Sequence, residues 1–504
     1  MSVDVEVVVA GGGPAGLLLA SELRLGGADP VVVERLPAPT GLSKALGLLG
    51  RAVQTLDYRG LLERFDAGFV PASAYSRFAH LGGIALDVSR LIDAAPPGHF
   101  PPPVPAHQAQ VEQVLEGRAR ELGTDIRRGH ELVGLSQDQD AVSVEVRGPE
   151  GTYRLCAGYL VGCDGAHSLV RKQAGIGFPG TPPTHVLRLG DVTLSEADLG
   201  RLPLGILRTP AGLFSAGPLG EGVVRVVVSE WSQPPEQVDR DTPPTLQELQ
   251  ASVRRVLGAD LAMSQPRWLS RFTDAARQAD RYRAGRVLLA GDAAHIQLPA
   301  GGPGMSTALQ DVVNLGWKLA AQVKGWAPPG LLDSYHAERH PAAERMLSFV
   351  RAQGILLSPG EHVTALRELL SELLRYQQPL RYLVDRLLSL DVRYEMGGDG
   401  APAHPLVGGW APDLPLRSDG GDIRLGMLLH AARPVLVDLS PDGWPRAAAA
   451  GWTDRVQTTV ARSDQPLEGL LVRPDGYVAW AAATGDRDTD RLRHALQTWF
   501  GVAG

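Results

Sequence analysis

The segment that most constrains this chain lies at its start. Val5 to Ala10 is apolar except for Glu6, Gly11-Gly12-Gly13-Pro14-Ala15-Gly16 follows at once, and Leu17 to Leu25 has the composition of a helix. A Val-rich run of this kind reads as a strand buried on both faces. Gly11, Gly13 and Gly16 make G-x-G-x-x-G between that strand and the helix. The first glycine permits a tight turn, the second lets a pyrophosphate approach the backbone, and the third lets helix and strand pack closely. The helix N–H groups then face the phosphates. A second apolar strand, Pro30 to Val33, ends in Glu34, eighteen residues after Gly16. A carboxylate there accepts from adenosine ribose hydroxyls and repels a 2′-phosphate. The site therefore suits FAD or NAD, not NADP.

Two later motifs bear on that choice. Tyr159 to Gly162 reads as a strand ending in Cys163-Asp164-Gly165, and Ser168 with Arg171 and Lys172 after it suggests a helix start. Strand-Asp-Gly turns are common, so this one alone leaves a plain turn open. Gly285 to Ala290 is a buried strand that enters Gly291-Asp292, followed by Ala293-Ala294-His295 and the turn Leu298-Pro299-Ala300-Gly301-Gly302-Pro303-Gly304-Met305. Ser306 to Lys324 then predicts an amphipathic helix, with Met305, Leu309, Val312, Val313, Gly316, Trp317 and Ala320 on one face. Asp292 can hydrogen-bond a ribityl hydroxyl. The glycine turn lets backbone N–H groups reach an isoalloxazine edge, and a helix N-terminus stabilises negative charge on a reduced flavin.

Composition narrows the alternatives. At roughly 150 residues per domain, 504 residues suggest two to four domains. The chain is 44% apolar and 21% charged, which excludes wholesale disorder. Its net charge of −7 argues against a general nucleic-acid binder. No apolar run reaches about 18 residues, so no transmembrane helix and no membrane partner are expected. Acidic Asp4 and Glu6 stand where a signal peptide would be basic. The two cysteines, Cys156 and Cys163, fit neither C-x-x-C nor zinc spacing, which suits two buried thiols in a cytoplasmic protein. No metal site, G-x-S-x-G elbow or second nucleotide glycine motif is evident.

At its three motifs the chain resembles the FAD-dependent aromatic hydroxylases, the single-component class with the para-hydroxybenzoate hydroxylase fold. Ala20-Ser21-Glu22-Leu23-Arg24-Leu25, Tyr159 to Gly165, Asp333-Ser334-Tyr335-His336-Ala337-Glu338-Arg339-His340 and Arg473-Pro474-Asp475-Gly476 look like the branch acting on angucyclines, anthracyclines and rifamycin. The resemblance spans nearly the whole chain. It implies FAD contacts at Gly11, Gly13, Gly16, Glu34, Gln108, Asp164, Asp292, Pro299, Gly304 and Met305. Gln108 stands just before an expected helix, Gln110 to Leu122. Three departures are visible. Ser43-Lys44 replaces Ser-Arg, so Lys44 keeps the charge without the planar fork. In the flavin turn Pro303 removes an N–H donor and Ser306 is shorter than the usual Asn. His107 stands where relatives often carry Pro. The family often places an arginine at Arg51 facing the flavin-side cavity, where it would act on an oxyanion, a peroxide or the nicotinamide; a solvated helix-start arginine is the alternative. His295 reads as packed or FAD-adjacent rather than as a general base.

The resemblance also implies the reaction. NADPH or NADH reduces FAD, and reduced FAD reacts with dioxygen to a C4a-hydroperoxide that passes one oxygen atom to a polycyclic aromatic polyketide. Baeyer–Villiger or ring-cleaving oxygenation, inactivation of a rifamycin-type antibiotic, and simple flavin dehydrogenation stay open as alternatives, as does a non-catalytic nucleotide binder. The expected fold is α/β: a Rossmann-like FAD-binding domain (1–71, 101–176, 281–355) with an inserted antiparallel-sheet substrate domain (72–100, 177–280). A helical segment (356–395) and a C-terminal thioredoxin-like domain (400–504) follow. That last domain has no cysteine, which excludes thiol redox chemistry there. The assembly is expected to be a monomer or homodimer.

Overall fold

The computed structural model describes residues 3–65, 79–92, 95, 98–203, 205–220, 222–237, 242–397 and 403–504. The expected boundaries near 71–72 and 400 lie outside the described residues.

The central sheet is built on Val5–Ala10, which lies between Pro30–Glu34 and Gly151–Gly162 and runs parallel to both. Asp125–Arg128 extends the sheet on one side, and Val287–Leu289 on the other. Val7, Val8, Val9, Leu160, Val161 and Leu288 are fully buried, in one core with Leu17, Leu18 and Leu19 of helix Pro14–Leu25 and with Val142, Val144 and Val146 of strand Val142–Gly148, which pairs with Gly151–Gly162. The pairing aligns Ala10 with Gly162 and Gly162 with Leu289. The three motif-bearing turns therefore leave the sheet side by side at its carboxyl edge, where ligands bind in sheets of this type.

A five-stranded antiparallel sheet stands beside it, in the order Gly205–Arg208, Gly212–Gly220, Val223–Glu230, Val186–Leu194, Met263–Thr273. Val192, Phe214, Val226 and Val228 point to one face and pack with Leu249 and Val253 of helix Leu246–Leu257. Leu187, Leu213, Val227 and Phe272 point to the other, toward Leu298, Ala300, Val350 and Leu357. This second face looks onto the carboxyl edge of the central sheet.

Helix Pro303–Val323 departs from its sequence reading. Every residue from Thr307 to Ala321 is buried, so the helix has no solvated polar face. One side crosses helix Pro14–Leu25 so closely that a Cβ at Gly316 would collide with Glu22. The other side meets helix Ser334–Leu357 and the C-terminal domain. No helix among the described residues is long and apolar enough to cross a membrane.

The C-terminal domain is thioredoxin-like. Its four strands run in the order Gln457–Val460, Val435–Asp438, Leu467–Val472, Val478–Ala483, with the first pair parallel and the others antiparallel. Helix Thr489–Phe500 brings Trp499 and Phe500 onto Trp317 of the long helix, in one shared core.

Buried charges hold this domain in place. Arg473 donates to Glu338 Oε1 and Oε2 at 2.7 Å each and also pairs with Asp475. Lys318 Nζ donates to Glu338 at 2.7 Å, and Asn314 bridges Glu338 and Asp475 at 2.6 and 2.8 Å. Nearby, Arg59 forks onto Glu22 at 2.6 and 2.8 Å and reaches the Pro474 carbonyl at 2.7 Å. Burial alone pushes the Glu338 carboxyl up, but Arg473 and Lys318 outweigh it and hold the group below the usual carboxylate range. Its folded-state value is thus depressed. The stability it contributes is present above the ordinary carboxylate range and is lost as pH falls through that range toward the folded value. Glu338→Ala leaves buried cations without their carboxylate and should cost about 3–5 kcal/mol in equilibrium urea unfolding. A cost under about 1 kcal/mol would contradict this role.

Candidate cofactor site and its supporting network

The expected nucleotide end is the glycine turn. Gly11 sits at φ +108° against the Cys163 carbonyl, which a Cβ would strike. A Cβ at Gly16 would strike the Gly11 carbonyl oxygen. At Gly13 the opposite holds: a Cβ would meet nothing within 4 Å. The glycines thus divide as the sequence predicts, two against protein and one against open space. Glu34 accepts from Gly12 N–H at 2.6 Å and Leu36 N–H at 2.9 Å, which sets its carboxylate beside the turn.

The next group joins a loop to a helix start. Helix Gln108–Glu121 begins two residues earlier than expected, with Gln108 as its first residue. The Gln108 side chain accepts from Lys44 N–H at 3.3 Å and donates to Glu112 at 2.8 Å. Ser43 Oγ accepts from Ala109 N–H at 3.1 Å. The Lys44 side chain is exposed. Asp164 is fully engaged in its own turn. It accepts from Ser168 Oγ at 2.5 Å, Leu169 N–H at 2.7 Å and Val170 N–H at 3.1 Å, supporting the start of helix Leu169–Gln173 beside its N-cap Ser168.

The expected flavin end is the turn Gly291–Ala293 with the segment up to Ser306. Gly291 has φ +61°, and Asp292 is exposed, with nothing among the described residues bonded to its carboxylate. Pro299 is exposed and Met305 half-buried. Pro303 is the first helical residue, where an N–H would find no partner within the helix, so it costs the helix nothing. Gly304 lies against the Gln297 side chain. Gln310 Nε2 donates to the Ser306 carbonyl at 3.1 Å. The buried Oε1 atoms of Gln297 and Gln310 have no partner among the described residues. A narrow cavity opens between Gly47–Leu49 and Gly301–Ser306, floored by Ala52 and Leu387. Open space at Gly13, a free Asp292 carboxylate and two orphaned acceptors beside the turn fit a long ligand with a phosphate end and a polar ring edge.

His295 is packed, as expected, but its partners and a second charged pair were not anticipated. His295 is fully buried with Nε2 2.7 Å from Asp311 Oδ2, and Asp311 Oδ1 accepts from Arg339 Nε at 2.8 Å. Burial works to raise the Asp311 carboxyl, but Arg339 and His295 hold it low. On the inner face of the five-stranded sheet Arg225 forks onto Asp191 at 2.8 and 2.7 Å and donates to the Lys44 carbonyl at 3.2 Å. A charge at an inward position of a Val-rich strand is the signal that would have found the Arg225 pair.

Arg51 needs correction. Its guanidinium is buried, stacks 4.4 Å over Trp410, donates to the Leu390 carbonyl at 3.1 Å and pairs with Gln54. It faces the C-terminal domain, not the flavin-side cavity, because Trp410 offers a ring face that a planar cation stacks on.

Comparison with known proteins agrees with this geometry. Residues 4–350 match the family model of the FAD binding domain, and residues 404–503 match the aromatic-ring hydroxylase C-terminal model. The chain is 46% identical to a 12-dehydrotetracycline 5-monooxygenase/anhydrotetracycline 6-monooxygenase of Streptomyces rimosus, over 98% of this chain and 99% of that one. It is 43% identical to a rifampicin monooxygenase of Streptomyces venezuelae, over 99% of each. An aromatic hydroxylase from angucycline biosynthesis superposes with a TM-score of 0.90 at 42% identity, over 99% of this chain and all of that one. The chain belongs to the FAD-dependent aromatic-ring hydroxylases, and is an FAD-containing monooxygenase.

The glycine geometry separates two variants. Gly13→Ala should leave the melting temperature nearly unchanged while FAD affinity falls at least about ten-fold, because its methyl group enters only ligand space. Gly16→Ala should lower both, because it forces helix and strand apart. Equal effects of the two on thermal unfolding would refute the division.

Proposed function

We propose that this enzyme uses FAD, NADPH or NADH, and dioxygen to hydroxylate a polycyclic aromatic polyketide. The observation that carries the reading is the convergence of the glycine turn and the Gly291–Ser306 segment at one sheet edge, opposite an apolar sheet face. FAD, when bound, supplies the electron transfer and dioxygen chemistry. The protein binds, orients and excludes water. Gly11, Gly13 and Gly16 shape the phosphate end, and Glu34 takes the ribose. Asp292, Pro299, Gly304, Met305 and Ser306 line the ring end.

Lys44 and Gln108 act here through the loop they join, with the Lys44 side chain exposed. Asp164 shapes the turn beside Gly11. Leu187, Val227 and Phe272 offer a flat ring system an apolar floor, and the Arg225–Asp191 pair beside Trp268 is the charged pair on that face among the described residues. The substrate domain is the inserted five-stranded sheet with its helix.

The test is turnover under isotopically labelled dioxygen with FAD, NADPH and a panel of anhydrotetracycline-, angucycline- and anthracycline-type aromatics. The expected product carries one labelled oxygen atom as a new hydroxyl. Product formed without label would contradict oxygen insertion and favour dehydrogenation, and labelled oxygen within a ring ester would favour Baeyer–Villiger insertion.

A further inference from the structure

The thioredoxin-like domain carries no cysteine, yet it is tied to the flavin end by a continuous run of buried hydrogen bonds. Gly291 N–H donates to Asp311 Oδ2 at 3.3 Å. The other Asp311 oxygen takes Arg339 Nε at 2.8 Å, and Arg339 Nη1 donates to Tyr394 OH at 2.9 Å. Arg339 also reaches the Thr307 carbonyl, at 3.3 Å, in the first turns of the long helix. Tyr394 is held by the C-terminal domain. Its ring lies 4.1 Å from that of Tyr477, its N–H donates to the Gly408 carbonyl at 2.8 Å, and Gly408 N–H donates to Val478 at 2.9 Å. Asp311 and Arg339 are buried to 0% and 1% exposure, so water offers neither a substitute partner.

We propose that Asp311, Arg339 and Tyr394 are positioning residues through which the C-terminal domain sets the Gly291-Asp292 turn for the flavin. The inference rests on the reading that Asp292 holds FAD. Gly291 lies in left-handed backbone, and its N–H has Asp311 as its partner. If the carboxylate moves, the turn carrying Asp292 moves with it. Asp311 has three donors, and Arg339 is the one that reaches outside the FAD-side segments. Loss of the Tyr394 hydroxyl leaves Arg339 Nη1 short of a buried partner and frees the guanidinium to re-aim. A purely stabilising contact would change unfolding without changing the flavin.

The test compares three full-length variants by FAD dissociation constant, flavin midpoint potential and melting temperature. Tyr394→Phe removes the relay hydroxyl. Tyr58→Phe removes another buried hydroxyl that docks the same domain, on the Ala411 carbonyl at 2.8 Å, and that is not hydrogen-bonded to the turn among the described residues. Asp292→Ala removes the proposed FAD ligand itself. The expected result is similar melting temperatures for the two tyrosine variants, with FAD affinity about five-fold weaker and the potential shifted only in Tyr394→Phe. Equal flavin effects in both, or none in Tyr394→Phe while Asp292→Ala weakens FAD, would overturn the relay. An unchanged FAD affinity in Asp292→Ala would overturn the underlying site reading, and the relay with it. If Tyr394→Phe does not fold, Arg339→Lys answers the same question, since it keeps a donor for Asp311 and gives up the reach to Tyr394.

Discussion

The alignment of three parallel strands is the constraint on which the remaining structure depends. Ala10, Gly162 and Leu289 end in register because their valines and leucines bury on both faces of one sheet. A slip of one residue would turn every buried side chain to the opposite face. With the strand ends fixed, three turns far apart in sequence emerge within reach of one ligand. Gly16 pressed on the Gly11 carbonyl then locks helix to strand, and Gly13 is left facing the space where a phosphate fits. On the proposed reading neither end holds FAD alone; the sheet brings the two ends to one edge.

Placing a long helix across that edge has a cost, and the buried charges show how it is met. Helix Pro303–Val323 presents its N-terminus to the flavin end, so its flanks are covered on all sides. Its polar residues face protein. Asp311 is matched by Arg339, and Lys318 shares Glu338 with Arg473. Each carboxylate meets a cation and further hydrogen bonds, the condition under which buried ions are tolerated. The pairs also impose geometry. A fork of Arg473 on Glu338 admits one placement of the C-terminal domain, where an apolar contact would admit several. The thioredoxin-like fold here serves as a wedge on the long helices rather than as a redox centre.

What was legible in the sequence was what depends on local backbone. The glycine spacing follows from steric limits within a few residues, and the strand Val5–Ala10 follows from its Val-rich run. The Asp292 turn was legible for the same reason. Longer-range contacts were not. The polar stripe Gln310, Asp311, Asn314, Lys318 has the spacing of a solvated face, and only the packing of two other elements over it reveals a buried network. Arg51 opens a helix in a plausible position, yet its direction is decided by Trp410, more than three hundred residues away. Gln108 and Asp164 carry the right chemistry for a ligand, but their side chains are occupied by neighbouring backbone and side-chain groups that no single-sequence pattern exposes.

The central claim is that one FAD spans two separate half-sites, its nucleotide end at the glycine turn and its ring end at Asp292. Titration of Asp292→Ala with FAD and, separately, with ADP tests this most directly. ADP reaches only the glycine turn. The account predicts that FAD binding weakens while ADP binding stays within about two-fold of the unmodified protein. ADP affinity falling in parallel with FAD, or FAD affinity holding while Asp292 is gone, would contradict it.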